Sequence, residues 1–305
     1  MRTSVQSFND FIRAAWANLR WPAAQRLSHV QNLRALYATA ANYNPDNVPP
    51  KASLFGMPRY RSMAAYIQST QIGAQHQIRM QDGAAWPDLT ASVAPFANYY
   101  TAVANQQSPP LNPQAEKLAL RYLHVYPALQ AQANWRIGLN VKPADMAAAM
   151  TALVPLLNNS PDIDHMKFLS PGVDSKADAV IVYLRHTGGY PQLRDAVVNA
   201  VVGLTLEPRV GAMWEEIDDG IGEAAEPPAG SFTTYRCVVA YLAYLEMALN
   251  GAPSYGDFVP YLARVMALFG LDPARPHLQG PLQQANPVFA SWWRSFTILH
   301  NAWQG

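Results

Sequence analysis

The sequence predicts an α+β protein: a small antiparallel or mixed sheet in strand–helix–strand–strand order, covered by helices and preceded by a mostly helical N-terminal region. Three observations predict it. The segments 134–141 ("NWRIGLNV"), 163–169 ("IDHMKFL") and 177–184 ("ADAVIVYL") have strand character. Pro143 opens "PADMAAAMTALVPLL", a helical run with proline in its first turn. In the first 42 residues, apolar side chains recur at helical spacing. The chain has 305 residues, half of them apolar and 14% charged, which excludes a disordered protein and allows one large domain or two modest ones. The proline-rich "QQSPPLNP" at 106–113 divides it into a helical region, 1–112, and an α+β domain, 113–305.

Taken in order, Phe8, Phe11, Ile12, Ala15, Trp16 and Leu19 share one helix face, with Ser7 as the expected cap. After the break at Trp21-Pro22, Leu27, Val30, Leu33, Leu36 and Tyr37 repeat the pattern. Residues 44–59 carry four prolines and read as irregular; 60–108 are rich in Ala, Gln and Tyr and show only weak helical character. In the middle of the chain Pro155 is expected to end or kink its helix, and the strands 163–169 and 177–184, joined by "SPGVDSK", to pair as an antiparallel hairpin. A helix follows over 190–202. The acidic, Gly- and Pro-rich 205–232 reads as a long irregular loop. Two helices come next, the second stopped by Gly270. The closing "FASWWRSFTILHNAW" reads as an aromatic helix docked on the core or on a second copy.

Composition narrows the function. With 22 basic and 21 acidic side chains the net charge is +1, which argues against nucleic-acid or membrane-surface binding driven by bulk charge. No apolar run reaches the ~18–20 residues of a membrane span, and the N-terminal segment lacks the pattern of a cleaved signal peptide. The single cysteine, Cys237, lies in an apolar helical run and reads as a buried inert thiol, which suits a reducing, cytoplasmic setting. A secretion signal without a compositional mark is compatible with this. The acids Glu215, Glu216, Asp218, Asp219, Glu223 and Glu226 lack a compact metal-ligand spacing and read as a solvated loop. "GGYPQLRD" lacks the spacing of a phosphate loop. Of the seven histidines, His165 is the only one expected near the paired lysines Lys167 and Lys176.

Three ordered segments carry a family resemblance: "MKFLSPGVDSKADAVIVYL", "EPRVGAMWEEIDDGIGEAAEPPAGSFTTYRC" and "GLDPARPHL". They resemble the strand pair, the Ser-Phe-Gly loop with its arginine-bearing helix, and the closing Gly-(Leu/Ile)-Asp-Pro-x-Arg-Pro motif of the HopA-type effector domain of plant-pathogen type III secretion systems. That domain also occurs in the phosphoserine/phosphothreonine lyases of class V lanthipeptide and thioamitide biosynthesis. The resemblance spans about 134–280, with a fainter likeness to phosphothreonine lyases over 134–184.

The resemblance implies a carbon–oxygen lyase that eliminates phosphate from phosphoserine or phosphothreonine in a ribosomal precursor peptide or a protein, leaving dehydroalanine or dehydrobutyrine. It implies no cofactor, and a kinase-like phosphotransferase as partner. Lys167 matches the base, Tyr183 a tyrosine near the leaving phosphate, Lys176 a phosphate-binding arginine, and Arg236 the arginine of the loop–helix motif, which is expected to bind phosphate as well. Clustered cations fit this chemistry because they bind a dianion and lower a neighbouring lysine's pKa.

Two positions depart from the pattern. Ser231-Phe232-Thr233 stands for Ser-Phe-Gly, and Asn134-Trp135-Arg136 stands where phosphothreonine lyases carry a Lys-x-His pair with the general acid. Arg136 can bind phosphate but is a poor acid; His165, on the face of Lys167, is a possible substitute. The residues alone also allow plainer readings: Lys167 as a gatekeeper at a strand end, Lys176 as a solvated turn residue, Tyr183 as core, His165 as a surface residue, and Arg236 as partner of an acid in 215–226. The alternative function is a non-catalytic, effector-like module that recognises a partner protein.

Overall fold

Alternating residues in 163–169 and 177–184 produce two adjacent antiparallel strands, the centre of a seven-stranded sheet. The structure, a computed structural model, describes residues 3–18, 29–41, 77–80, 122–127, 132–169, 177–185, 190–251 and 254–304. The strands are β1 (Gln77–Met80), β2 (Tyr122–Tyr126), β3 (Trp135–Leu139), β4 (Ile163–Leu169), β5 (Val180–Leu184), β6 (Glu215–Asp218) and β7 (Ile221–Ala225). The helices are α1 (Ser4–Asn18), α2 (His29–Ala41), α3 (Met146–Asn159), α4 (Pro191–Ala200), α5 (Phe232–Leu249), α6 (Tyr255–Leu268) and α7 (Phe289–Gln304). The α+β class follows from these elements. None of the described helices is long and apolar enough to cross a membrane.

The chain forms two compact units: 1–45 with 211–216 and 224–305, and 46–210 with 217–223. They cut across sequence order; the proline-rich segment 106–113, where a boundary was expected, and the prolines of 44–59 lie outside the described residues.

The sheet runs β1-β2-β4-β5-β3-β7-β6, with β1 to β5 in the second unit. Because β5 is antiparallel to both β4 and β3, β3 and β4 are parallel to each other, and α3 is the crossover between them. A 3₁₀ turn, Pro143–Asp145, leads into α3. Its buried Ala149, Met150, Leu153, Val154 and Leu157 form an apolar stripe, and the helix packs on β4. Pro155 neither ends the helix nor lies on that stripe; it sits on the exposed side, where a freed carbonyl can reach water. One face of the sheet is apolar: Val125, Ile137, Leu139, Met166, Phe168, Val180, Val182 and Leu184 are all buried.

The segment 205–232 is not an irregular loop throughout. It holds the strands β6 and β7, joined at Asp219-Gly220. Gly220 has φ +71°, and a Cβ there would fall 2.5 Å from the Glu207 carbonyl oxygen, so only glycine fits this turn. The Asp-Gly pair is itself a hairpin signal; the acids around it masked the strands.

The first unit is helical. α5 is buried along most of its length and is capped by Ser231, whose side chain accepts from the Thr234 N–H. α2, α6 and α7 pack against it. Trp16 of α1 packs tilted against Phe258 at 5.0 Å and edge-on against Tyr244 at 5.7 Å, and the Tyr241 hydroxyl joins His29 and Asn32. Ser7 lies inside α1 and is not its cap; its hydroxyl accepts from the Met213 N–H instead. Gly270 (φ +71°) stops α6 as expected, and a Cβ there would meet the Gly280 oxygen at 2.2 Å. The aromatic α7 docks internally: Phe289, Phe296 and Leu299 are buried, with Trp293 and Phe296 stacked at 5.2 Å.

Candidate functional site

The face of the sheet opposite the apolar one carries charged and aromatic side chains. Strand parity puts His165 and Lys167 on one side of β4. Register then adds their neighbours: Lys167 lies opposite His124 of β2, His165 opposite Tyr183 of β5, and Tyr183 opposite Arg136 of β3. Four residues singled out from the sequence, Arg136, His165, Lys167 and Tyr183, thus share one side of three neighbouring strands.

Their rings and charges form a continuous stack. The His165 imidazole lies between Tyr183, at 4.0 Å and 12°, and Tyr126, at 4.5 Å and 19°. His124 is 5.5 Å from His165. The Arg136 guanidinium sits 5.1 Å from the Tyr183 ring centre, and Lys167 Nζ 4.0 Å from that of Tyr122. Tyr122 in turn donates to Asp178, to both its carbonyl and its carboxylate at 2.9 Å. Arg136, Lys167, His124 and Asp178 are buried, whereas His165 and Tyr183 are partly exposed. Lys167 is therefore not a solvated strand-end lysine. Buried cations require partners, and here they find aromatic faces.

At one end of the stack, His165 Nδ1 is 2.7 Å from Asp164 Oδ2, and Arg185 Nε lies 3.8 Å from Asp164 Oδ1. Lys176 falls in 170–176, outside the described residues.

Arg236 belongs to the other compact unit. Nε donates to the Pro276 carbonyl at 3.0 Å and an Nη to that of Leu278 at 3.2 Å, with the guanidinium 3.7 Å from the Phe232 ring centre. The arginine of the second recognised motif thereby holds the third, "GLDPARPHL", in place. Arg236 also helps burial keep the nearby His277 imidazole below its ordinary pKa, although burial contributes most and Glu215 acts the other way. Burial pushes the Cys237 thiol pKa far up, so the buried inert thiol expected from the sequence is what the structure contains.

Sequence reasoning missed His124, Tyr122, Tyr126 and Asp164, and His165 is not the only histidine beside Lys167. The stretch "YLHVY" does alternate in strand fashion. That His124 would face Lys167 depends on pairing between distant strands.

Comparison with known proteins agrees with this architecture. The HopA1 effector protein family matches residues 97–278. No curated protein matches. The fold is similar to that of the effector protein from Pseudomonas syringae pv. syringae strain 61, with 17% identity and a TM-score of 0.61, over 92% of this chain and 99% of that one. It is likewise similar to the effector protein from Pseudomonas syringae pv. tomato strain DC3000, with 15% identity and a TM-score of 0.60, over 91% of this chain and 99% of that one. The family match covers more than half of the chain, and the fold agrees with it: this protein belongs to the HopA1 effector protein family.

Proposed function

We propose that this protein is a lyase that removes phosphate from phosphoserine or phosphothreonine in a peptide or protein by β-elimination. One observation carries the reading: Lys167, His165, Tyr183 and Arg136 share a single sheet face, and its two cations are buried against aromatic rings. In this reading Lys167 Nζ takes the Cα proton, the electron pair forms the Cα=Cβ bond, and the Cβ–O bond breaks. Arg136 compensates the charge of the leaving phosphate, with Lys176 as a second cation, and His165 delivers a proton to the departing oxygen. Tyr183 holds the imidazole by stacking. A kinase-like phosphotransferase would supply the phosphorylated substrate.

Mass spectrometry of phosphothreonine and phosphoserine peptides incubated with the protein is the test. Loss of phosphoric acid is expected, and it should vanish with Lys167→Met. Peptides unchanged by the wild-type protein, including the product of a partner kinase, would overturn the reading.

A second reading, an effector-like module that only binds its partner, is favoured by Arg136 standing where a general acid is expected. It predicts that Lys167→Met alters no turnover, because there is none to alter.

A further inference from the structure

We infer that Asp164 is the positioning residue for His165, fixing its tautomer so that Nε2 carries the exchangeable proton. The inference rests on the lyase reading for its chemical consequence, and on geometry alone for the tautomer.

The starting point is an irregularity in β4. Ile163 pairs with Leu184 and His165 with Tyr183, so two steps on β4 match one step on β5. Asp164 is the extra residue of a β-bulge. In an unbroken strand, consecutive side chains face opposite sides, and Asp164 would point away from its neighbour's imidazole. The bulge re-aims it, and its Oδ2 comes to 2.7 Å from His165 Nδ1. A carboxylate only accepts hydrogen bonds, so Nδ1 must be the donor. The neutral ring then has its lone pair on Nε2, and the charged ring carries its exchangeable proton there.

The surroundings suit this role. The Asp164 side chain is 5% exposed and that of His165 13%, so the carboxylate is sealed while the ring retains access to solvent. Arg185 flanks the carboxylate on its other oxygen. Arg185 is itself tied down, since its N–H donates to the Asp162 carbonyl at 2.9 Å and its own carbonyl accepts from the Asn134 side chain at 2.6 Å. Tyr126 and Tyr183 sandwich the imidazole and prevent it from swinging off the carboxylate. The ring faces its acid edge-on and its two tyrosines face-on. During elimination the balance is simple: Lys167 gains the Cα proton, the leaving phosphate gains the Nε2 proton, and the neutral imidazole stays on Asp164 until solvent returns the proton.

Two measurements test the inference. Nitrogen-15 NMR of the imidazoles in the wild-type protein, with His165 assigned through His165→Gln, should show neutral His165 protonated on Nδ1; protonation on Nε2 would overturn the inference whether or not the protein is a lyase. If the wild type eliminates phosphate, Asp164→Asn should lower kcat about 10²-fold with KM within roughly 3-fold, and the alkaline limb of the kcat pH profile, set by the general acid, should move. The double variant with His165→Gln should be no slower than His165→Gln alone. An unchanged kcat and pH profile in folded Asp164→Asn would remove the positioning role and leave the lyase reading standing. Absence of turnover in the wild type would remove the lyase reading and leave the tautomer measurement to decide the rest.

Discussion

Arg136 and Arg236 are each only 2% exposed, yet they are buried in different ways. Arg236 spends its donors on main-chain carbonyls of the closing segment. Those acceptors cannot titrate or move without unfolding that segment, so these two bonds tie the arginine to the scaffold. Arg136 lies among side chains that stack, ionise and exchange protons: Tyr183, then His165, then Asp164. Burial alone therefore does not mark a functional cation; the kind of partner does. Phosphate binding was expected of both arginines, of Arg236 by resemblance and of Arg136 by its chemistry, and their environments differ.

The largest expected effect comes from the side-chain set. Lys167→Met keeps the aliphatic stem against Tyr122 but loses the amine, and should cut elimination by about 10³-fold with the melting temperature little changed, as single-turnover kinetics and calorimetry would record. A parallel loss of stability would instead put Lys167 in the scaffold class. The converse holds for Arg236→Leu. It strips two buried carbonyls of their donors, and at ~1–3 kcal/mol for each orphaned group a loss of about 3 kcal/mol is expected, roughly a 5 °C fall in melting temperature for a chain of this length. The folded fraction should keep its kcat.

Arg136→Lys is a finer probe. It retains the charge and loses the planar fork, so KM for a phosphopeptide should rise about 10-fold with kcat nearly constant. An unchanged KM would take Arg136 out of phosphate binding.

The smallest effect is on acid stability. In the folded state burial holds His277 and His300 below the ordinary imidazole pKa of 6.5. The unfolded chain then binds more protons in the window from 6.5 downward, so stability is full above that pH and is lost as pH falls through the window. Melting temperatures between pH 7 and 5 should decline, and less steeply in His277→Gln; a slope that does not respond would assign the decline to other groups.

Parts of this molecule could be read from the chain, and the reasons differ by element. The pair β4 and β5 was legible because Met166, Phe168, Val180 and Val182 alternate with their neighbours at the strand period. β6 and β7 were not, because Glu215, Glu216 and Asp218 weaken the apolar signal that defines a strand. Lys167 and His165 could be placed on one face by parity, a local property. His124 could not be brought to them, since that requires knowing that β2 pairs with β4 across some 40 residues of chain. Asp164 adjoins His165 in sequence, yet strand parity alone puts it on the opposite face, because a bulge is invisible to a period-of-two argument.

The discontinuous helical unit has a consequence for synthesis. The strands β1 to β5 have all been made by residue 184, whereas Trp16 and Asn32 wait for Phe258 and Tyr241, made more than 200 residues after them. The amino-terminal helices must stay undocked for most of translation, so the order of assembly runs from the middle of the polypeptide to its two ends.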